Sequence, residues 1–223
     1  MMDISRLIVK PNEKLLYTKN LTPGITYYKE KTVEINGEEY RVWSPYRSKL
    51  AAAILNGFDA SELSDVKTVL YLGAATGTTV SHISDLLPNG RIYAVEVAPR
   101  VMLEFVNRVI RYRDNIVPLY FDARKPYYYQ DIVETVDLVY CDVAQPDETE
   151  IAAYNCDLFL REGGKLLLAV KSRSIDVTKE PEEIYKDSAD YLRKRGYEVR
   201  QVIDLEPYEK DHAMIYAIKV KKG

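Results

Sequence analysis

Cysteine is nearly missing from this chain of 223 residues: Cys141 and Cys156 are the only two, and neither belongs to a CxxC or Cys/His cluster. That excludes a structural zinc site and suits a reduced compartment, so no metal is expected. No apolar run approaches the ~20 residues of a membrane span, and the opening segment MMDISRLIVK lacks the apolar stretch of a signal peptide. A soluble, cytoplasmic protein with no membrane partner is expected. An excess of positive charge is missing as well: 31 basic residues face 34 acidic ones, for a net charge of −3. Such a balance excludes a protein that grips nucleic acid over a broad surface by itself. Any RNA substrate would have to be presented by something else.

What the chain does have is 47% hydrophobic content, enough for one full α/β domain with a small appendage. The organising stretch is TVLYLGAATGTTV, Thr68 to Val80. Val69 to Leu72 form the continuous apolar run of a central parallel strand. Gly73 and Gly77 permit a tight turn. Thr78 and Thr79 open a helix whose apolar positions Val80, Ile83 and Leu87 recur at helical spacing, so free backbone N–H groups face the turn. A dinucleotide fingerprint would carry glycine where Ala75 stands and again where Thr78 stands. Alanine crowds a pyrophosphate but leaves room for a smaller, uncharged group such as the amino-acid part of S-adenosylmethionine.

Residues 1–48 read as a small antiparallel β domain. Its β-prone runs are Leu7 to Val9, Leu15 to Thr18, Ile25 to Tyr28, Thr32 to Ile35 and Tyr40 to Trp43, and Asn36-Gly37 is a strong hairpin signal. Residues 49–223 form the second domain, entered through a helix over Ser48 to Leu55. Strands are expected at Arg91 to Val97, Ile116 to Phe121, Val136 to Val143 and Lys165 to Val170. Helices are expected from Pro99, from Thr149 to Leu160 with a stop at Gly163-Gly164, and from Pro181 to Arg195 with a stop at Gly196. The last two strands, Glu198 to Asp204 and Ala213 to Val220, are joined by too short a loop for a crossover and must form an antiparallel hairpin. A parallel sheet closed by such a pair favours a methyltransferase over a nicotinamide enzyme.

In an open parallel sheet, ligands sit beyond the carboxyl ends of the strands. Here those ends are Gly73, Glu96, Asp122, Asp142 and Lys171. Glu96 is placed to accept hydrogen bonds from ribose hydroxyls, and Asp122-Ala123 to lie beside an adenine. Taken singly, each acid reads better as a solvated strand end or helix cap; their coincidence at three successive strand ends favours a shared site. Asp142 with Lys171 reads as a surface ion pair, Lys49 as solvent-exposed, and His212 as a strand-start residue.

The segments YLGAATGTTVSHISD (71–85), YAVEVAPR (93–100), DARKP (122–126), VYCDVAQPDE (139–148), AVKSRSID (170–177) and EKDHA (209–213) together resemble the fibrillarin family, in particular its archaeal form. The resemblance covers essentially the whole chain. It implies a Rossmann-like S-adenosylmethionine-dependent methyltransferase fold: a mostly parallel seven-stranded sheet with an antiparallel last strand, after the small β domain. It implies 2′-O-methylation of ribose in rRNA, and in tRNA, directed by box C/D guide RNA. The implied partners are a Nop-type scaffold protein and a kink-turn-binding ribosomal-type protein. Cofactor contacts are implied at Gly73, Ala74, Ala75, Thr78, Thr79, Glu96, Val97, Asp122, Ala123, Asp142, Val143, Ala144 and Gln145, and a catalytic set at Lys49, Asp142, Lys171 and His212. Lys171 would act as base when neutral or steady the developing alkoxide when charged. Two other readings stay open at this level: a methyltransferase acting on another substrate, and a non-catalytic assembly subunit.

Overall fold

A computed structural model describes residues 1–220 of the chain. The end of the second expected domain, residues 221–223, lies outside the described residues. Two sheets organise the molecule. The first is antiparallel, with β1 (Leu7–Lys10), β2 (Leu15–Lys19), β3 (Thr32–Ile35) and β4 (Glu38–Trp43) in the order β1-β2-β4-β3. Asn36 and Gly37 both adopt positive φ, the conformation a two-residue hairpin turn between β3 and β4 demands.

The second sheet contains β5 (Thr68–Leu72), β6 (Arg91–Val95), β7 (Ile116–Leu119), β8 (Val136–Cys141), β9 (Leu160–Lys171), β10 (Tyr197–Asp204) and β11 (His212–Lys219). Their order is β10-β11-β9-β8-β5-β6-β7, and β11 alone runs against the rest, inserted between β9 and β10. The helices are α1 (Lys49–Leu55), α2 (Thr78–Leu86), α3 (Pro99–Arg108), α4 (Glu148–Phe159), the short α5 (Ser172–Ile175) and α6 (Pro181–Lys194). Helix α6 carries Glu182 and Glu183 in its first turn and Arg193 and Lys194 in its last, each complementing the helix dipole. One apolar core lies on each face of the large sheet, and the core containing Val69, Tyr71 and Tyr140 continues into Leu16, Tyr28 and Trp43 of the leader.

The expected strand over Ile25 to Tyr28 does not form. Its backbone N–H groups at Tyr27 and Tyr28 bind the Glu30 carboxylate instead of a neighbouring strand. The two rings are buried against Arg41, Arg113 and His82, so tyrosines that look β-prone serve packing rather than pairing. Gly163-Gly164 does not stop a helix either. Helix α4 ends at Phe159, and the two glycines form an irregularity inside β9, where the pairing with β8 jumps from Leu160 to Lys165. Helix α5 was not expected from sequence. Strands β6, β7 and β8 each end two residues early, which places Glu96, Asp122 and Asp142 in the loops just beyond them.

Between the sheets lies a buried polar network. Asp85 on α2 receives Arg41 from β4 at 2.8 Å and Arg113 at 2.7 Å, together with the Thr18 hydroxyl at 2.7 Å. Arg41 also meets Glu30 at 2.7 Å. His82, stacked on Trp43 at 4.9 Å, bonds Thr18 and Tyr28 through its two ring nitrogens. Burial first, then the two guanidinium groups, hold its pKa well below the ordinary range.

Candidate active site

The turn after β5 is built by backbone geometry. Gly73 has φ +83°, and a Cβ there would collide with the Asp142 carbonyl oxygen of the neighbouring strand end. Gly77 has φ +89° and caps α2; a Cβ there would strike the Phe105 ring. Both positions therefore need glycine for conformation and for space. Ala75, also at positive φ, directs its N–H to Glu96 Oε2 at 2.9 Å, while Glu96 Oε1 accepts from Ala98 N at 2.8 Å. One carboxylate thus clips the turn to the loop after β6.

A pocket of about 190 Å3 opens beside this turn. It is lined by Gly73, Ala75, Glu96, Val97, Asp122, Ala123, Asp142, Val143, Ala144 and Gln145 of the anticipated set. Val95, Phe121, Arg124 and Ile151 complete its walls. Ala74 is buried beneath the turn, and Thr78 and Thr79 stand behind it on α2, so these three lie outside the lining. The Thr79 hydroxyl is committed elsewhere: it donates to Ser48 Oγ at 2.9 Å. Ser48 is the N-cap of α1, so Thr79 fixes the start of the helix that carries Lys49. Asp122 Oδ1 accepts from Arg124 N at 2.9 Å, and Ala123 O accepts from Asn155 Nδ2 at 2.9 Å, which holds the Asp122-Ala123 loop against α4.

The charge in this pocket decides between the ligands left open by sequence. Glu96, Asp122 and Asp142 face it, and its one lining cation, Arg124, forms a bidentate pair with Asp147 at 2.6 and 2.8 Å. A pyrophosphate would meet three carboxylates and no free positive partner. A nucleoside offering hydroxyls, an amine and a sulfonium charge finds acceptors, apolar walls at Val97, Phe121 and Ile151, and compensating negative charge.

At the mouth, Lys49 Nζ and Asp142 Oδ1 form an ion pair at 2.8 Å. Burial pulls the Lys49 pKa down, but Asp142 more than offsets it and the net shift is upward, so Lys49 is a fixed cation. Lys171 and His212 are register partners on β9 and β11. The Asp142 carboxylate therefore pairs with Lys49 and not with Lys171, contrary to the surface pair read from sequence. His212 Nδ1 lies 2.6 Å from Lys210 O; a carbonyl only accepts, so the proton is on Nδ1 and Nε2 is left as an acceptor. Burial, partly countered by that bond, keeps the imidazole pKa below its ordinary value.

One residue escaped the sequence reading. Glu148 opens α4 and is 0% exposed. Its Oε1 accepts Lys171 N at 2.8 Å, and its Oε2 has no hydrogen-bond partner among the described residues. Burial above all, with a smaller push from Asp142, raises its pKa to about 8. An acid in the first turn of a helix looks like an ordinary dipole partner, and only the packing of β9 against α4 reveals otherwise.

Comparison with known proteins agrees with this geometry. The fibrillarin family model matches residues 5–221. A fibrillarin-like rRNA/tRNA 2′-O-methyltransferase from Staphylothermus marinus is 55% identical over 203 residues, covering 91% of this chain and 86% of that protein. The crystal structure of Aeropyrum pernix fibrillarin with natively bound S-adenosyl-L-methionine is 51% identical, covers 91% of this chain and 88% of that one, and superposes with a TM-score of 0.84. A fibrillarin/Nop5p complex contains a chain 40% identical, covering 96% of this chain and 97% of that one, also with a TM-score of 0.84. With the match running through nearly every residue of both sheets, this chain belongs to the fibrillarin family.

Proposed function

We propose that this protein transfers the methyl group of S-adenosylmethionine to ribose 2′-hydroxyls of rRNA and tRNA. In this reading box C/D guide RNA chooses the site, within an assembly that contains a Nop-type scaffold protein and a kink-turn-binding ribosomal-type protein. The observation that carries the reading is the acidic pocket beyond the strand ends, whose lining residue Asp142 is ion-paired with Lys49; the register pairing of Lys171 with His212 on the next two strands supports it. The activity printed for the relatives and the Nop5p partner of the related complex support it. So does the net charge of −3, which leaves the lone chain a poor binder of RNA. Residues 1–48 serve as a leader domain to the methyltransferase domain of residues 49–223. The cytoplasm is the compartment where guide and substrate RNA would meet it.

When bound, the cofactor supplies an electrophilic methyl group on a sulfonium. Glu96 would hold its ribose, Asp122 and Ala123 its adenine, and the Asp142 to Gln145 loop its remaining wall. The chain's own work is on the acceptor hydroxyl. Holding that oxygen in line with the methyl carbon supplies much of the acceleration, and the rigid pairing of Lys49 with Asp142 keeps the mouth in one geometry. Lys171 would lie nearest the departing proton, as base when neutral or as a charge that steadies the developing alkoxide, and His212, with Nε2 left as an acceptor, would position the ribose or relay that proton.

The test is methylation of a guide-complementary RNA, mapped to single nucleotides, by the assembled particle and by the protein alone. Site-selective 2′-O-methylation by the particle and little by the protein alone is expected. Strong selective activity from the isolated chain would overturn the guide-directed reading.

A further inference from the structure

Just outside the methyl-transfer centre lies a surface that its chemistry does not use. Tyr46 is 59% exposed, a high value for so large a ring, and it contacts the Tyr208 ring edge-on at a centroid distance of 5.2 Å. Each tyrosine is followed within two residues by an exposed cation, Arg47 and Lys210. Neither cation enters an ion pair among the described residues, whereas Lys49, Arg124 and Arg173 do; Arg47 also lies over the Tyr28 ring at 5.7 Å. All four residues are wired to the catalytic set. Tyr46 and Arg47 immediately precede Ser48 and Lys49. The Lys210 carbonyl is the group that fixes His212, and Asn56 at the end of α1 holds the Tyr208 loop through Asp204 O at 2.7 Å and Glu206 O at 2.8 Å. The surface is thus preorganised at the same edge as Lys49 and His212.

We infer that Tyr46, Arg47, Tyr208 and Lys210 form a subsite for the sugar–phosphate backbone of the substrate RNA strand, beside the ribose that is methylated. The inference rests on the RNA 2′-O-methylation reading given above. An aromatic face packs on a ribose and two unpaired cations neutralise flanking phosphates, and none of these contacts depends on base identity. The ribose edge of a paired RNA strand lies in a wide, shallow groove that such a flat surface can reach. An enzyme whose target is chosen by base pairing to a guide needs a grip that ignores sequence. Glu206, Glu209 and Asp211 share the loop with Lys210, so the two cations supply that grip locally without general affinity for RNA.

The test uses the fully assembled particle with two guides directing it to unrelated targets, under single-turnover conditions. Tyr46→Ala, Tyr46→Phe and Lys210→Ala are compared with wild type, and cofactor binding is measured by calorimetry as a check on folding. Expected is a loss of about tenfold in methylation at limiting substrate for Tyr46→Ala, equal on both targets, with Tyr46→Phe near wild type and cofactor affinity unchanged. Lys210→Ala is expected to lower the logarithmic salt dependence of substrate affinity by about one. Replacing the adjacent substrate phosphate by a neutral methylphosphonate should weaken the wild type yet add nothing to the loss in Lys210→Ala. Unchanged rates and salt slope, additive phosphate effects, target-dependent losses, or weakened scaffold assembly in place of weakened substrate binding would each overturn the inference. A wild-type particle that fails to methylate its guided site would instead count against the function proposed above.

Discussion

Burial gives the Glu148 carboxyl one partner, the Lys171 amide, and strands its second oxygen. An unfolded glutamate titrates near 4.3, so with a folded pKa of about 8 the native state holds the extra proton between those values. Stability from this group is complete below about pH 4.3 and is lost as pH rises through about 8, at up to about 1.4 kcal/mol per pH unit. Glu148→Gln keeps the shape and removes the titration. Urea unfolding should find it close to wild type at pH 5 and more stable at pH 9; a parallel pH profile would show that the carboxyl is not buried in its neutral form. His212 carries the opposite sign, since burial holds its pKa down, and its contribution fades on acidification. For the chemistry, Lys171→Ala in the assembled particle should cut methyl transfer by about 100-fold or more while calorimetry shows cofactor affinity retained. Preserved turnover would remove Lys171 from the mechanism. Sequence made Asp142 and Lys171 visible through the strand-end rule, but not their partners. Lys49 lies 93 positions from the carboxylate it meets, and nothing local marks it as anything but solvent-exposed.

The strand, turn and helix of β5 and α2 were legible because every level agreed: an apolar run, two glycines, then helical spacing. The glycine requirement is steric as well as conformational. Gly77→Ala should cost about 2–4 kcal/mol, from positive φ and from a methyl group driven into Phe105. Chemical denaturation reads this directly, and a loss under 1 kcal/mol would mean that the α2–α3 contact is looser than described. Where elements were misread, one local signal was competing with tertiary packing. Ile25 to Tyr28 has strand composition, yet its rings lie against Arg41, Arg113 and His82. Gly163-Gly164 looks like a helix stop, yet the chain is already extended at Leu160, and the pair serves as a bulge. The turn's threonines show the same limit at the site. Their place on α2 was foreseen, but the bond from the Thr79 hydroxyl to Ser48, which supports the start of the helix that carries Lys49, is a long-range fact.

Across the whole molecule, the leader is joined to α2 by charges rather than by apolar contact alone. Asp85 balances two buried guanidinium groups, and its removal leaves both without their shared partner. Asp85→Ala should therefore destabilise the protein by about 3–5 kcal/mol, measured by urea unfolding with cofactor absent. A smaller loss would mean that water reaches Arg41 and Arg113. The placement of β11 reaches further, into how the protein is made. Among the described residues β11 comes last in chain order, yet it is an interior member of the sheet, and it carries His212. Until β11 has docked, β9 presents an open edge and Lys171 lacks its register partner His212. A chain in which that strand is undocked is accordingly sticky, and the juxtaposition of Lys171 with His212 arises in the same event that seals the sheet.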